Sequence, residues 1–267
     1  MRLHLLISLA MLLLASAVAS AVEPAARVAP PELAKAPGEV VDLFAAAESK
    51  LIDVRIIPRD DKQARIFVTN KSGRALNVRL PETYAAVPVL SQILGLPNNG
   101  AQAGAAQAPQ TFGGPINAGP QNNQQNAFPR GVFNIPPEQT RDIKVAAVCL
   151  DYGKPTPRAL IPYELVPLAS IATDPAIEPV LRAWGSGKYN RLVVQAAAWH
   201  LASSVSWEEL AKKEGTMVAA SEYEPYFTAN QLKQAKALVA AAKKEVAQKE
   251  SANSKKPTRS PGEKLKD

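Results

Sequence analysis

The chain has 267 residues, of which 46% are hydrophobic, and it carries a formal net charge of +7 at pH 7. This length and apolar content allow one large or two small domains with a real hydrophobic core. A single cysteine excludes an intramolecular disulfide, and two histidines argue against a histidine-rich metal site.

The N-terminus has the pattern of a secretory signal peptide. Arg2 precedes an apolar run over residues 5–18, and the Ala-Ser-Ala motif at 19–21 has the small residues of a cleavage site. The run of about 14 residues is shorter than the roughly 20 that a bilayer span needs, which favours cleavage over an anchor. We therefore expect a signal peptide over 1–21, no transmembrane span in the mature chain, and a periplasmic, cell-surface or secreted location.

Short stretches of alternating apolar and polar residues follow a segment rich in proline and alanine. We interpret that segment, residues 22–46, as a linker. Alternation of this kind is typical of half-buried strands. The first three stretches are 52–56, 65–68 and 76–80, and turn residues at 70–73 separate the second from the third. They predict a hairpin of the kind found in an antiparallel immunoglobulin-like β-sandwich, which we expect to span 47–168.

An insertion over 97–127 is expected to interrupt the sandwich. It is rich in Gly, Asn, Gln, Ala and Pro, and no charged residue occurs between Thr83 and Pro129. Such a stretch cannot bury enough apolar surface to offset the entropy lost on ordering, because it has few large apolar side chains. The sequence therefore predicts a disordered insertion.

Strand patterns resume after the insertion at 132–135, 143–149 and near 163–166. In the second of these, Cys149 falls on the same face as Val145 and Ala147, so a buried thiol is expected there.

The pattern becomes helical from Asp174 onward. Asp174 followed by proline, and Ser206 three residues before Glu209, are helix-capping signals. We expect a helical region over 172–214, a C-terminal helix over 228–250 and a basic disordered tail over 251–267.

The basic tail bears on the partner of the protein. Outside the cytoplasm, a positively charged segment could contact an anionic wall or matrix polymer. The sequence otherwise leaves the partner open as an unknown protein, and no nucleic acid is expected.

Few residues could carry catalytic chemistry. The chain has no Gly-rich phosphate loop, Cys-x-x-Cys or His-Glu-x-x-His motif, so no cofactor or metal is expected. After signal cleavage His200 is the one remaining histidine, and any cysteine–histidine mechanism must use it with Cys149. On the helical pattern of 190–202, Gln195 and Trp199 share one face. We expect Trp199, His200 and Trp207 to be packing or interaction anchors.

Two stretches of the sequence together resemble a known group of proteins. They are Val148-Cys149-Leu150-Asp151-Tyr152-Gly153-Lys154 and Gln195-Ala196-Ala197-Ala198-Trp199-His200-Leu201. The chain resembles, over about residues 47–214, a group of uncharacterised secreted proteins of planctomycete bacteria. That resemblance implies the order signal peptide, sandwich strands, insertion and helix, and it implies no activity.

A second, weaker resemblance is to the thioester domains of bacterial surface adhesins. Those domains carry a cysteine on a strand and a Gln-x-Ala-x-Trp segment on a later helix, which Cys149 and Gln195-Ala196-Ala197-Ala198-Trp199 match here. The resemblance implies that the Cys149 sulfur and the Gln195 amide condense to a thioester and release ammonia. The acyl group would then capture an amine.

The sequence as a whole favours an exported, non-catalytic interaction or structural module. Two alternatives remain open. One is a covalent adhesion domain that uses Cys149 and Gln195, and the other is a cysteine hydrolase that uses Cys149 and His200.

Overall fold

The computed structural model describes residues 40–89, 108–116, 131–219 and 222–254. These residues belong to one compact unit that covers 36–267. The expected signal peptide at 1–21 and the tail beyond residue 254 lie outside the described residues. None of the helices in the described part of the chain has the length and hydropathy that a membrane crossing requires.

Strands come first in the chain and helices dominate its second half. The strands are β1 (Val40–Asp42), β2 (Ile52–Pro58), β3 (Gln63–Asn70), β4 (Leu76–Arg79), β5 (Thr83–Pro88), β6 (Phe112–Pro115), β7 (Val132–Ile135), β8 (Thr140–Ala146), β9 (Val148–Cys149), β10 (Tyr163–Val166), β11 (Glu214–Ala219) and β12 (Glu222–Pro225). The helices are α1 (Leu43–Glu48), α2 (Ile177–Gly185), α3 (Arg191–Ala202), α4 (Trp207–Lys212) and α5 (Ala229–Ser254). The predicted order of antiparallel β-structure followed by helices is confirmed. The immunoglobulin-like character remains a prediction.

The small sheet begins inside the segment that we had interpreted as a linker. It has the order β1-β4-β7, with β1 parallel to β4 and β4 antiparallel to β7. Helix α1 follows β1 directly, because the Asp42 side chain accepts hydrogen bonds from the N–H groups of Phe44 and Ala45. The linker interpretation is therefore wrong for residues 40–46. A three-residue strand is too short for alternation to reveal, and α1 is a short run of alanines that resembles a linker in composition.

The large sheet has the order β8-β3-β2-β10-β5-β6-β9, and all its neighbours are antiparallel. Its two outermost strands, β8 and β9, are consecutive in the chain, and Ala147 alone separates them. The sheet must therefore curl until its two edges meet. Two contacts mark this meeting: the Tyr84 hydroxyl donates to the Ala146 carbonyl at 2.9 Å, and Gly114 of β6 lies against the same carbonyl.

The break at Ala147 corrects the single strand predicted over 143–149. Val145 and Ala147 lie in the core between the two sheets, whereas Cys149 lies in the core beneath the helices. The strict two-residue period places all three on one face only while the strand continues. Because β8 pairs with β3 and β9 pairs with β6, the chain changes partner at Ala147 and the period restarts.

Strand β6 corrects the prediction of a disordered insertion over 97–127. Phe112-Gly113-Gly114-Pro115 lies between β5 and β9, and the side chain of Phe112 is fully buried. The backbone of this segment gains its stability from two neighbouring strands, although the segment contributes one large apolar side chain. The parts of the insertion at 97–107 and 117–127 lie outside the described residues.

The turn after β3 is a corner between the sheets rather than a hairpin within one. Asn70 ends β3 and is fully buried. Its side-chain nitrogen donates to the carbonyls of Arg74 at 2.7 Å and Ile135 at 2.9 Å, and its oxygen accepts the N–H of Ser72 at 2.8 Å. This one amide ties β3 of the large sheet to the end of β7 in the small sheet. The predicted hairpin between 65–68 and 76–80 is therefore not formed.

The sheets and helices enclose two hydrophobic cores. Residues of both sheets and of α1 form the inter-sheet core, in which Ile66, Val78 and Ile135 are fully buried. The helix-side core lies between α2, α3, α4 and α5 on one side and buried residues of β5, of β9 and just after β9 on the other. Burial of these apolar side chains is the main favourable contribution to folding.

Helix α5 is docked along its first half and continues to Ser254, beyond the expected end at residue 250. Its buried residues are Leu232, Ala235, Leu238, Val239 and Ala242. The side chain of Arg182 in α2 pairs with Glu245 and so links the two helices. The hairpin of β11 and β12, between α4 and α5, was not predicted.

Candidate functional site

Cys149 and Gln195, the two residues of the thioester hypothesis, lie together in the structure. Helix α3 begins at Arg191 because the Asn190 side chain accepts hydrogen bonds from the first helical N–H groups. Gln195 lies one turn later and is fully buried. Its amide oxygen accepts the Cys149 N–H at 2.9 Å, and its amide nitrogen donates to the Cys149 carbonyl at 2.7 Å. Gln195 thus replaces a neighbouring strand at the outer edge of β9.

Arg191, one helical turn before Gln195, also binds the outer edge of β9. Its Nε donates to the Ala147 carbonyl at 3.2 Å. A terminal nitrogen of its guanidinium donates to the carbonyl of Asp61 at 2.6 Å and to its carboxylate at 2.9 Å. The same nitrogen lies 3.4 Å from the Gln195 amide oxygen. Arg191 and Gln195 therefore hold the backbone of residues 147–149 from the side that β6 does not cover.

The Cys149 thiol is buried in the helix-side core, with 1% of the residue exposed. Burial, with a smaller contribution from the negative charge of Asp61, raises the pKa of the thiol to about 12, and the positive charge of Arg191 partly opposes this shift. The thiolate is the nucleophilic form of cysteine. At neutral pH the side chain is therefore a protonated, enclosed thiol.

The contact between Cys149 and Gln195 bears directly on the thioester hypothesis. Condensation would join the Cys149 sulfur to the Gln195 amide carbon and release the amide nitrogen as ammonia. In the structure both polar atoms of that amide bind the backbone of Cys149. Loss of the amide nitrogen would remove the donor to the Cys149 carbonyl, which is a buried acceptor.

His200 is separated from Cys149 by its position on α3. It follows Gln195 by five residues, which is about 140° around a helix of 3.6 residues per turn. Its Nδ1 lies 2.8 Å from the Val205 carbonyl, and its ring stacks on Trp207 with centroids 4.2 Å apart. No hydrogen bond joins His200 to Cys149, although both are described residues. The cysteine–histidine pair that a hydrolase would need is not formed, and His200 and Trp207 act as packing anchors for each other.

Trp199 is the centre of an aromatic cluster. It lies one turn after Gln195 on α3 and is 5% exposed. Its ring centroid lies 5.1 Å from Tyr152, 5.8 Å from Tyr226 and 5.9 Å from Phe227. Its indole nitrogen is buried and has no hydrogen-bond partner among the described residues. Trp199 therefore packs against three other rings, and its indole N–H is left unsatisfied.

Three rings of this cluster surround a lysine. The ammonium of Lys213 lies 5.2 Å from the centroid of Tyr152, 5.5 Å from Trp199 and 5.3 Å from Tyr226. We name these three rings the Lys213 cage. A cation over an aromatic face within about 6 Å is attracted by the ring quadrupole. The cage lies where α4 ends and β11 begins, at the base of the β11–β12 hairpin.

A small cleft lies next to the residues that follow β9. This cleft of about 160 Å³ is lined mainly by apolar side chains, among them Leu150, Leu168 and Ile171. Its carboxylate, Asp151, already accepts the N–H of Thr111 at 2.8 Å. Within the described ranges, no group of three or more His, Cys, Asp or Glu side chains could hold a metal ion.

Sequence reasoning missed most of the aromatic cluster and the ion pair between Arg191 and Asp61. Those two residues are 130 positions apart, and no local pattern connects them. Lys213 had no distinguishing signal, because it directly follows Lys212 at the end of a short helix. The adjacent rings of Tyr226 and Phe227 were a signal that went unused.

Comparison with known proteins finds no family model that matches the chain, no matching curated protein and no matching solved structure. The resemblances noted in the sequence therefore remain predictions.

Proposed function

We propose that this chain is a non-catalytic interaction or structural module that acts outside the cytoplasm. One observation supports the proposal: each candidate reactive group is enclosed in the core or bonded to the backbone, and so helps to hold the fold. Cys149 is enclosed and protonated, Gln195 binds the backbone of β9, and His200 binds the Val205 carbonyl. Groups that are committed in this way are unavailable for nucleophilic or acid–base chemistry.

The hairpin of β11 and β12 supports an interaction role. Three of its apolar side chains are exposed: Met217 to 55%, Val218 to 53% and Tyr223 to 41%. Exposed apolar side chains that cluster with polar neighbours are typical of protein–protein contact sites. The hairpin also carries Glu214 and Glu222. This acidic rim favours a protein partner at the hairpin over an anionic polymer.

A second candidate function follows from the proximity of Cys149 and Gln195. The Gln195 amide binds the backbone N–H and carbonyl of Cys149, so the two residues are neighbours in the folded chain. A thioester would make the chain a covalent adhesion domain that captures amines. The two candidates differ in the chemical state of one sulfur atom, so they can be separated by mass and thiol content.

Thiol titration with intact-mass measurement is expected to support the non-catalytic module. Denatured protein should react with one equivalent of a thiol reagent, and its mass should equal that of the full mature sequence. Native protein should react slowly at about pH 8, because the thiol is enclosed and its thiolate is scarce. A mass lower by one ammonia, without titratable thiol until methylamine is added, would instead establish the thioester. Rapid reaction of the native thiol would contradict both candidates and favour the hydrolase.

Export is tested by sequencing the N-terminus of protein recovered from outside the cytoplasm. We expect the sequence to begin at or near Val22, because the apolar run ends in the small residues at 19–21. Recovery of chains that begin with Met1 in a membrane fraction would show that the segment is an anchor instead.

A further inference from the structure

The Lys213 cage holds its ammonium group without help from a carboxylate. The three rings come from separate parts of the chain: Tyr152 follows β9, Trp199 lies in α3, and Tyr226 follows β12. Their centroids are nearly equidistant from the ammonium, at 5.2, 5.5 and 5.3 Å. Lys213 forms no ion pair with any residue in the described part of the chain. The cation is therefore recognised by aromatic faces, which is the arrangement that proteins use for methylated ammonium groups.

We propose that the Lys213 cage is a binding site for a small methylated ammonium compound, and that Lys213 occupies it as an internal competitor. This inference rests on the proposed function, since it names a ligand class for an interaction module. A primary ammonium is compact and strongly hydrated, so an aromatic cage is a poor substitute for its water. A methylated ammonium is less hydrated, and its methyl groups contact the ring faces directly.

Lys213 can leave the cage without disturbing the backbone. Its carbonyl accepts the N–H of Tyr226 at 2.8 Å, and its own N–H donates to the Leu210 carbonyl at 3.3 Å. Both bonds involve backbone atoms alone. The side chain has a flexible four-carbon stem and is partly exposed, so rotation of that stem empties the cage while the hairpin base stays in place.

The charge around the cage restricts the ligand further. Burial raises the pKa of Tyr152, and the nearby negative charge of Glu209 raises it as well. The Glu209 carboxylate attracts a cation, and it repels a ligand that carries its own carboxylate or phosphate. The cage should therefore prefer choline, which is a cation, to betaine, which carries both charges.

The test is calorimetric titration of the full mature chain and of a Lys213→Ala variant with tetramethylammonium. We expect weak binding to the wild type and at least tenfold tighter binding to Lys213→Ala, since the competitor is removed. Lys212→Ala is the matched control. It removes a neighbouring exposed lysine that contacts none of the three rings, and it should bind like the wild type. Circular dichroism verifies that each variant is folded.

Two further measurements distinguish cation–π binding from binding through apolar contact alone. Tyr226→Leu in the Lys213→Ala background removes one ring and should weaken tetramethylammonium binding at least fivefold. 3,3-Dimethylbutanol, the uncharged carbon analogue of choline, should bind at least tenfold more weakly than choline. Choline should also bind more tightly than betaine.

Several results would overturn the inference. Folded Lys213→Ala that binds tetramethylammonium no better than Lys212→Ala would show that Lys213 is a structural contact alone. Equal binding of choline and its carbon analogue would show that the site is merely apolar. A preference for phosphatidylcholine vesicles over free choline would assign the site to a membrane headgroup and refute a free ligand. None of these results depends on the Cys149 thiol, so the proposed function is tested separately by the thiol and mass measurements.

Discussion

Replacement of Gln195 by leucine should lower the free energy of unfolding by about 2–5 kcal/mol, because two buried backbone groups lose their partners. The Cys149 N–H and carbonyl bind the Gln195 amide at 2.9 and 2.7 Å, and water cannot replace it since both residues are buried. Leucine has nearly the volume of glutamine, so the change isolates the hydrogen bonds. Urea denaturation followed by far-UV circular dichroism measures the effect.

Gln234→Leu is the matched control for this substitution. Gln234 is exposed on α5, so the same chemical change should alter the free energy of unfolding by no more than about 0.5 kcal/mol. Gln195→Glu gives a second comparison: it keeps an acceptor for the Cys149 N–H, but it loses the donor to the Cys149 carbonyl. A loss below 1 kcal/mol in Gln195→Leu would mean that the edge of β9 finds other partners.

Gly114→Ala should be at least as damaging, with an expected loss of about 3 kcal/mol or more, because the added methyl meets backbone. A Cβ at this position would lie 2.2 Å from the Ala146 carbonyl oxygen and 3.1 Å from its carbon. Those atoms belong to the end of β8, so relief would require the two edges of the large sheet to move apart. Thermal and urea denaturation of the purified variant measure the loss.

Gly73→Ala is the control for the glycine substitution. Gly73 lies in the corner between β3 and β4, and a Cβ there would have no atom within 4 Å. Because alanine also restricts the unfolded chain, this change should be neutral or stabilise the protein by up to about 1 kcal/mol. If Gly114→Ala behaved like Gly73→Ala, the close approach of β6 to β8 would be wrong.

Alternation of apolar and polar residues in the sequence predicted those strands that have one buried face and one less buried face. In β3, buried and less buried residues alternate from Gln63 to Asn70, and that alternation is a property of the sequence itself. Strand β6 escaped because Phe112-Gly113-Gly114-Pro115 has too few side chains to show a period. All four residues are nevertheless buried, since β5 and β9 supply the hydrogen bonds from outside the segment.

The part of the candidate site that lies on α3 could be predicted from the sequence. The spacing of Gln195 and Trp199 placed both on the face of α3 that meets the sheet, and both are buried there. The break at Ala147 was not predictable, because it depends on which strands β8 and β9 join. The Lys213 cage was not predictable either, since its rings are brought together by tertiary packing of separate elements.

Helix α3 covers the outer edge of β9, and this contact bears on how the protein avoids association with its own copies. An open strand edge presents unpaired N–H and C=O groups, and these can pair with a strand of another molecule. Here Gln195 and Arg191 of α3 bind the Cys149 N–H and the carbonyls of Cys149 and Ala147, while the Lys62 carbonyl accepts the Ala147 N–H. Most of the protection of this edge therefore depends on the docking of α3. If α3 moved away from the sheet during folding, the unpaired edge of β9 would be exposed. Loss of α3 docking should therefore favour pairing of this edge with a strand of another molecule.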